Sequence, residues 1–398
     1  MKNMVCNLQK ITICLFVILF SSAQAQTDPI ASNEIREIAW SPLGDRIAVA
    51  YQNGLIQVID SLDQTIHFET QTESRISNFA WSPNGQQLAA STLSPENALK
   101  IWDITTGELT FEYRDVGEDV IGVGWSPDNQ QILASAAESL NGYNGILVNP
   151  TTLETTRLKL PLAVDITWSM NGKQIAFVGI TWLLVLQRDD FSPIFTTQVE
   201  TRNNINLQSQ LVKVAWHPLQ PEITAATGDG RAFVWQLGDP QPRLSLTTHD
   251  YTGQEFLLGW VYQLRYSATG ETLTSIAGDG TIRTWNTTDG ALLSEQRVSP
   301  NFGADFSPTG ARVAVALAPS ARATLNADQL PIEITVLDPT LTGLQALAAQ
   351  CNLTTDLILQ VATFDPVGFT TEVEALSEDV LPMGCQADLI AMAEAIEP

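Results

Sequence analysis

Residues 79–91 read FAWSPNGQQLAAS: an aromatic anchor, a Ser-Pro-Asn-Gly turn, and a short apolar run ending in small residues. Versions of this string recur as IAWSPLGDRIAVA from residue 38, VGWSPDNQQILAS from 123, ITWSMNGKQIAFV from 166, VAWHPLQPEITAA from 214, LRYSATGETLTSI from 264 and ADFSPTGARVAVA from 304. The anchors are Trp40, Trp81, Trp125, Trp168, Trp216, Tyr266 and Phe306, separated by 41, 44, 43, 48, 50 and 40 residues.

A period in the forties with several short strands per unit is the signature of a β-propeller blade. The second unit reads as four strands: ISNFAW with period-two alternation, QQLAAS after the Pro-Asn-Gly turn, ALKIWD after a loop, and ELTFEY after a Thr-Thr-Gly turn. Small residues such as Ala89 and Ala90 suit strands crowded at a hub. One blade cannot bury both of its faces, so stability requires the closed ring.

The third strands end in Ile101-Trp102-Asp103, Val234-Trp235-Gln236 and Thr284-Trp285-Asn286, and the turns before the last two are Gly228-Asp229-Gly230 and Gly278-Asp279-Gly280. With these residues the chain resembles the WD-repeat family over about residues 34–340. The resemblance implies an all-β, seven-bladed propeller of four-stranded antiparallel blades. The family's Gly-His pair before the first strand is missing, since the only histidines are His67, His217 and His249. The family's buried His–Ser–Trp–Asp network is therefore not carried over, except as an option in unit six around His249, Ser275, Asp279 and Trp285. Asp229 and Asp279 are expected to stabilise their own turns. His217 stands where the other turns have Ser. Closure of the seventh blade is expected either from a short strand around Asp28–Ser32 or from the chain after Asp338.

Two flanking segments differ from the repeat. Lys2 and Lys10, the apolar run ITICLFVILF at 11–20 and then SSAQA read as a secretory signal peptide over residues 1–25. Ten strongly apolar residues are about half of the ~20 needed to span a bilayer as a helix. Cleavage would leave 18 Lys and Arg against 44 Asp and Glu, a formal charge of −26, so phosphate backbones and anionic membranes should repel the mature chain. From Ala323 to Pro398 there are 12 acidic residues and no Lys or Arg. Residues 341–398 carry helical spacings, with Thr-Thr-Asp and Thr-Thr-Glu as expected N-caps. Cys351 and Cys385, the only cysteines beyond residue 25, are expected to pair outside the cytosol. This helical segment is read as a cap on the last blade, or alternatively as a docking module. The propeller is assigned residues 26–340.

Signatures of catalysis are missing. There is no Gly-x-Ser-x-Gly elbow, no phosphate loop, no His or Cys spacing for zinc and no calcium loop. No cofactor is expected. Carboxylates from different blades could still converge on the central channel, as in metal-dependent propeller hydrolases, which makes an exported hydrolase or lactonase the alternative reading.

Loop lengths suggest where a partner binds. The first-to-second-strand turn is uniformly short, which makes one face of the disc regular. The other connections are long at Thr92–Asn97, Ala136–Asn144, Glu200–Ser209, Thr248–Gly259 and Ala318–Leu330, and in a propeller of this type they share one face. Leu140, Tyr143, Asn203, Asn204, Asn206, Tyr251 and Phe256 lie on these loops and suit wet contacts; Tyr251 and Phe256 could instead plug the channel. The expectation is a secreted monomeric scaffold, extracellular or periplasmic, that binds a protein or peptide on this face and binds no nucleic acid.

Overall fold

The computed structural model describes residues 34–140, 143–199, 210–249, 259–299, 301–317, 330–337, 341–353, 366–376, 381–382 and 384–396. Its strands form seven antiparallel sheets in strict sequence order, six of four strands and the last of three among the described residues. Each sheet begins with an anchor strand, such as Ile35–Trp40, Ile76–Trp81 or Leu211–Trp216, and these strands pack against one another to form the hub. The chain therefore folds as the expected seven-bladed propeller. Blade two follows the sequence reading closely, with strands Ile76–Trp81, Gln87–Thr92, Leu99–Asp103 and Leu109–Tyr113. Ala89 and Ala90 are fully buried, but on the second strand rather than at the hub. They point to opposite faces, one into the core shared with blade three and the other into the core shared with blade one.

The repeated string now has a physical account. Trp81 Nε1 donates to the Ala39 carbonyl of blade one at 3.0 Å, Trp40 Nε1 to Asp305 of blade seven at 3.0 Å, and Trp216 Nε1 to Thr167 of blade four at 3.3 Å. The anchor thus ties each of these strands to the preceding blade, joining a hydrogen bond to a ring that is buried in Trp40 and Trp81 and partly buried in Trp216. The turn closes through Gly85 N to the Ser82 carbonyl at 2.9 Å, while Ser82 Oγ donates to Asn84 at 2.7 Å. Ser126 and Ser169 likewise donate to Asp128 and Asn171 at 2.7 and 2.9 Å. In blade five His217 replaces the serine, and its Nδ1 accepts from the Leu219 and Gln220 amides at 3.1 and 2.9 Å.

Blades five and six differ in their Asp-Gly turns. Asp229 accepts from Thr227 Oγ1 at 2.5 Å and pairs with Arg231 at 2.9 Å, contacts that hold its own turn. Gly230 is required there, because a Cβ would lie 1.9 Å from the His249 carbonyl oxygen. In blade six the optional network exists: His249 Nε2 meets Ser275 Oγ at 3.1 Å, and Trp285 Nε1 donates to the same oxygen at 3.5 Å. His249 Nδ1 meets Thr281 Oγ1 at 2.7 Å and lies 3.5 Å from Asp279. Asp279 therefore does more than stabilise its turn, contrary to the expectation for that residue. Trp102, Trp235 and Trp285 are all buried in the blade cores, as repeat-forming residues should be.

Among the described residues three helices follow blade seven: α1 (Leu341–Gln350), α2 (Pro366–Ala375) and α3 (Cys385–Ala395). Cys351 and Cys385 form a disulfide with Cα atoms 5.8 Å apart. The helices share a core of Leu344, Leu347, Phe369, Val373 and Leu389, which continues into Ala311 and Val336 of blade seven. Thr-Thr-Glu does not cap a helix, because α2 begins at Pro366 and these residues fall in its interior. Proline suits a first helical turn, where its missing N–H removes no bond. The Thr-Thr-Asp segment lies outside the described residues.

The seam between blades seven and one is held from this helical segment. Asp388 on α3 is fully buried and pairs with Arg312 Nε at 2.6 Å. Its other oxygen accepts from Ser307 Oγ at 2.7 Å and also from Thr309. Arg312 in turn donates to the Gly44 and Ser61 carbonyls of blade one at 2.9 and 3.0 Å, and its guanidinium lies 4.6 Å from the Trp40 ring centre. The seventh turn reads Ser-Pro-Thr-Gly, and the acceptor for its serine, an Asp or Asn of the turn in blades two to four, comes from the tail instead. Residues 26–33, the other expected source of closure, lie outside the described residues.

Candidate functional site

Within each anchor strand, alternation turns the residue three positions before the anchor toward the propeller axis. Around the ring this position holds Glu37, Asn78, Gly122, Asp165, Lys213, Gln263 and Gly303. In blades one, two, five and six the strand register shifts just before it, for example between Ile35 and Glu37 and between Leu211 and Lys213. Such a bulge re-aims side chains, and here the residue before each ring position also reaches the channel: Arg36, Ser77, Val212 and Tyr262 line its mouth.

The channel has two parts. The mouth is a cavity of about 140 Å³ on the face where the anchor strands begin, walled by Ile121, Val164, Val212, Trp260 and Tyr262. Below it lies a polar cavity of about 280 Å³ that reaches Asp165, Gln263 and Asp305. Glu37, Ile38, Asn78 and Lys213 border both cavities and so form the floor of the mouth.

The charges on this floor are unevenly partnered. Lys213 Nζ lies 4.0 Å from Asp165, whose other oxygen accepts from the Val214 amide at 3.1 Å. Asp305 accepts from the Trp40 amide at 2.9 Å, from Gln263 Nε2 at 2.7 Å and from the Phe306 amide at 2.9 Å. Among the described residues no hydrogen bond or ion pair reaches the Glu37 carboxylate. Burial pushes Glu37 up to about 7, Lys213 opposes the rise, and Asp305 and Asp165 add to it. Burial also raises Asp305 above the usual carboxylate range, despite its three donors. For Lys213 burial disfavours the charge, but Asp165, Glu37 and Asp305 together outweigh it and hold its pKa above the ordinary lysine value. At the rim Arg36 pairs with Glu34 at 2.8 Å and donates to Gln52 at 2.8 Å. Burial and the nearby Arg36 bring Arg75 down to about 10.

Three carboxylates thus converge on the channel, which is the arrangement the hydrolase alternative called for. They do not combine into a metal site: among the described residues no group of three or more His, Cys, Asp or Glu is placed to hold a metal. Lys213 stands beside Asp165, and the Asp305 oxygens are already accepting N–H groups.

The sequence-predicted binding residues are mostly elsewhere. Asn203, Asn204, Asn206, Tyr251 and Phe256 lie outside the described residues. Tyr143 is exposed at the start of strand Tyr143–Val148, with Lys159 Nζ 5.2 Å from its ring centre, and lines neither cavity. The long connection expected at Ala136–Asn144 is instead a lengthened hairpin: strand Ile132–Leu140 runs on and Tyr143 begins the next. Glu138 and Ser139 pair with Glu118 and Gly117 of the adjacent strand, so strand pairing continues where a loop was expected. The floor residues themselves escaped sequence reading. Only their shared offset of three residues before the anchor marks them, and the residue type at that offset varies from blade to blade.

Comparison with known proteins agrees with the propeller fold. The model of the anaphase-promoting complex subunit 4 WD40 domain matches residues 17–75, and that of the WD domain, G-beta repeat, matches residues 63–103. A chromatin assembly factor 1 subunit of Saccharomyces cerevisiae is 31% identical over 91 residues, 23% of this chain and 19% of that protein. Protein FIZZY-RELATED 1 of Arabidopsis thaliana is 23% identical over 256 residues, 63% of this chain and 50% of that protein. A WD repeat-containing protein of Synechocystis is 30% identical over 96 residues, 24% of this chain and 27% of that protein. The chain thus spans half or less of the length of these curated relatives.

Proposed function

Because this chain is a WD-repeat β-propeller, we propose that it is an exported, non-catalytic scaffold that holds a protein or peptide partner over the mouth of its central channel. The observation that carries the reading is the mouth itself: an apolar-walled, charged-floored cavity on the face bearing the variable connections. The opposite face is built from repeated, self-satisfied turns and is partly occupied by the helical segment. Relatives that are WD-repeat proteins favour a scaffold over an enzyme. Export is supported by the basic, apolar and small-residue order of residues 1–25 and by a Cys351–Cys385 disulfide suited to an oxidising compartment. We assign no cofactor, and take the protein to be a monomer.

Photo-crosslinking residues placed at Ser77 on the rim, at Tyr143 on the same face, and at exposed Met170 on the turn face test the reading. The expected result is one protein joined to the exported chain from Ser77 and Tyr143 and not from Met170. Attachment from Met170 alone would place the partner on the wrong face.

A further inference from the structure

The polar side chains around the mouth are richer in donors than in acceptors. Arg36, Arg75 and Lys213 line it as cations that only donate, Ser77, Asn78 and Tyr262 can donate as well, and Glu37 is the one carboxylate in the lining among the described residues. Burial raises the Tyr262 phenol above its ordinary range, so at neutral pH it keeps its proton and remains a donor. Lys213 is drawn toward Asp165 of the lower cavity, 4.0 Å away. Positive charge therefore gathers at the rim, where two guanidiniums from neighbouring blades converge on one oxygen: Arg36 Nε donates to Gln52 Oε1 at 2.8 Å and Arg75 Nη1 to the same atom at 3.4 Å. Glu34 pairs with Arg36 at 2.8 Å. Asp119 and Glu34 also support the charge on Arg75, yet burial and the like charge of Arg36 outweigh them and bring Arg75 down to about 10. The rim pair thus holds more positive charge than its own carboxylates cancel.

The rest of the lining is apolar. Arg36 and Arg75 stand on blades one and two, while across the cavity blades three to six present Ile121, Val164, Val212 and Trp260. One side suits an anion and the other an alkyl group.

We propose that the channel mouth receives a carboxylate on an apolar stem, the C-terminal residue of a partner chain, with the carboxylate held by Arg36 and Arg75 and the side chain laid against Ile121, Val164, Val212 and Trp260. A chain end fits this division because its carboxylate and its side chain diverge from one α-carbon. An internal Asp or Glu would bring two flanking peptide segments over a cavity of about 140 Å³, whereas a chain end brings one. A cationic ligand would meet three like charges. Glu37 opposes an anion only in part, since its carboxyl is raised to about 7 and is half protonated at neutral pH. This inference rests on the scaffold reading for the source of the carboxylate, although the receptor chemistry stands on the cavity alone.

The test uses the purified full chain with hexanoate, hexanol and hexylammonium as probes, followed by titration calorimetry at pH 7. Hexanoate is expected to bind, and hexanol and hexylammonium to bind more weakly by about tenfold or more. Arg75→Gln should weaken hexanoate by about tenfold or more, whereas Glu37→Gln, which removes the opposing charge, should leave it unchanged or tighten it. Hexylammonium binding as well as hexanoate, no hexanoate binding, or a folded R75Q chain that binds hexanoate normally would each overturn the proposal. The order of the three probes on the unchanged chain decides the matter should R75Q fail to fold. Acetylated Gly-Gly-Leu, as the free acid and as the amide, forms the last arm: the acid is expected to bind and the amide to fail. If the acid also fails where hexanoate succeeds, the ligand is a small free carboxylate and the partner's chain end is removed from the proposal. Crosslinking from Ser77 without probe binding would spare the scaffold reading and remove this one; probe binding with crosslinks only from Met170 would do the reverse.

Discussion

Blade six and blade seven solve the same problem with different material. Blade six secures itself from within: His249, Ser275, Asp279, Thr281 and Trp285 all lie between residues 249 and 285 and form one buried network. Blade seven has three strands among the described residues and depends on a residue 76 positions beyond Arg312, the buried Asp388 of α3. The contrast separates two kinds of stability in one ring. A network whose one charge, Asp279, still reaches solvent can lose a neutral member at modest cost. A buried ion pair leaves an uncompensated charge when either partner is removed.

That difference orders the expected effects. Asp388→Ala should cost about 3–5 kcal/mol in denaturant unfolding, because Arg312 is then buried without its partner. Pairing Asp388→Leu with Arg312→Met should recover much of the loss, and a double variant no better than D388A would break the comparison. Replacing Cys351 and Cys385 together with Ser should cost about 2–4 kcal/mol. If the helical segment acts on the seam, hydrogen exchange should accelerate in Asn301–Phe306 and Arg312–Leu317 while blades two and three stay protected. Ser275→Ala should cost only about 1–2 kcal/mol, the loss of one oxygen that serves both His249 and Trp285.

Acid should sharpen the contrast from the other side. Burial lowers the His249 pKa below 6.5, although Asp279 opposes the shift, so the neutral ring is native and the unfolded state binds the extra proton. The stability that depends on it is complete above pH 6.5 and falls as pH drops below that value, a decline that His249→Gln should flatten. Glu37 runs oppositely. Its folded pKa of about 7 exceeds the ordinary glutamate value of 4.5, so stability declines as pH rises from 4.5 to 7. Glu37→Gln should therefore raise the midpoint of unfolding at pH 8 and change it little at pH 4.5, the smallest and most specific of these shifts.

The ring could be read from sequence because its cause is repeated. A Trp, a Ser-Pro-x-Gly turn and a small-residue strand recur together, and each copy reports the same packing. The channel floor could not be read in this way, since its seven positions carry Glu, Asn, Gly, Asp, Lys, Gln and Gly. What they share is a place, and repetition of residue type gives no hint of it. The seam was hidden by distance: nothing near Thr309 shows that its turn lacks a carboxylate because Asp388 supplies one. Local rules also misled. Pro366 overrides the Thr-Thr-Glu cap pattern, and the run after Ala136 has the composition of a loop yet pairs as a strand. His249 could be named from sequence as an option, but only the fold brings it against Ser275.

Three anchor indoles bond to the blade before them, Trp81 to one, Trp40 to seven and Trp216 to four, while the buried Nε1 atoms of Trp125 and Trp168 meet no acceptor among the described residues. A repeat of this kind carries its donor and its acceptor with it. Duplicating or deleting one would leave the neighbouring junctions matched, so the circle could change size by copying its own units. The junction between seven and one adds to its indole bond a key that is written once, in the tail. Whatever number of blades such a lineage explored, the lock had to move with the last of them.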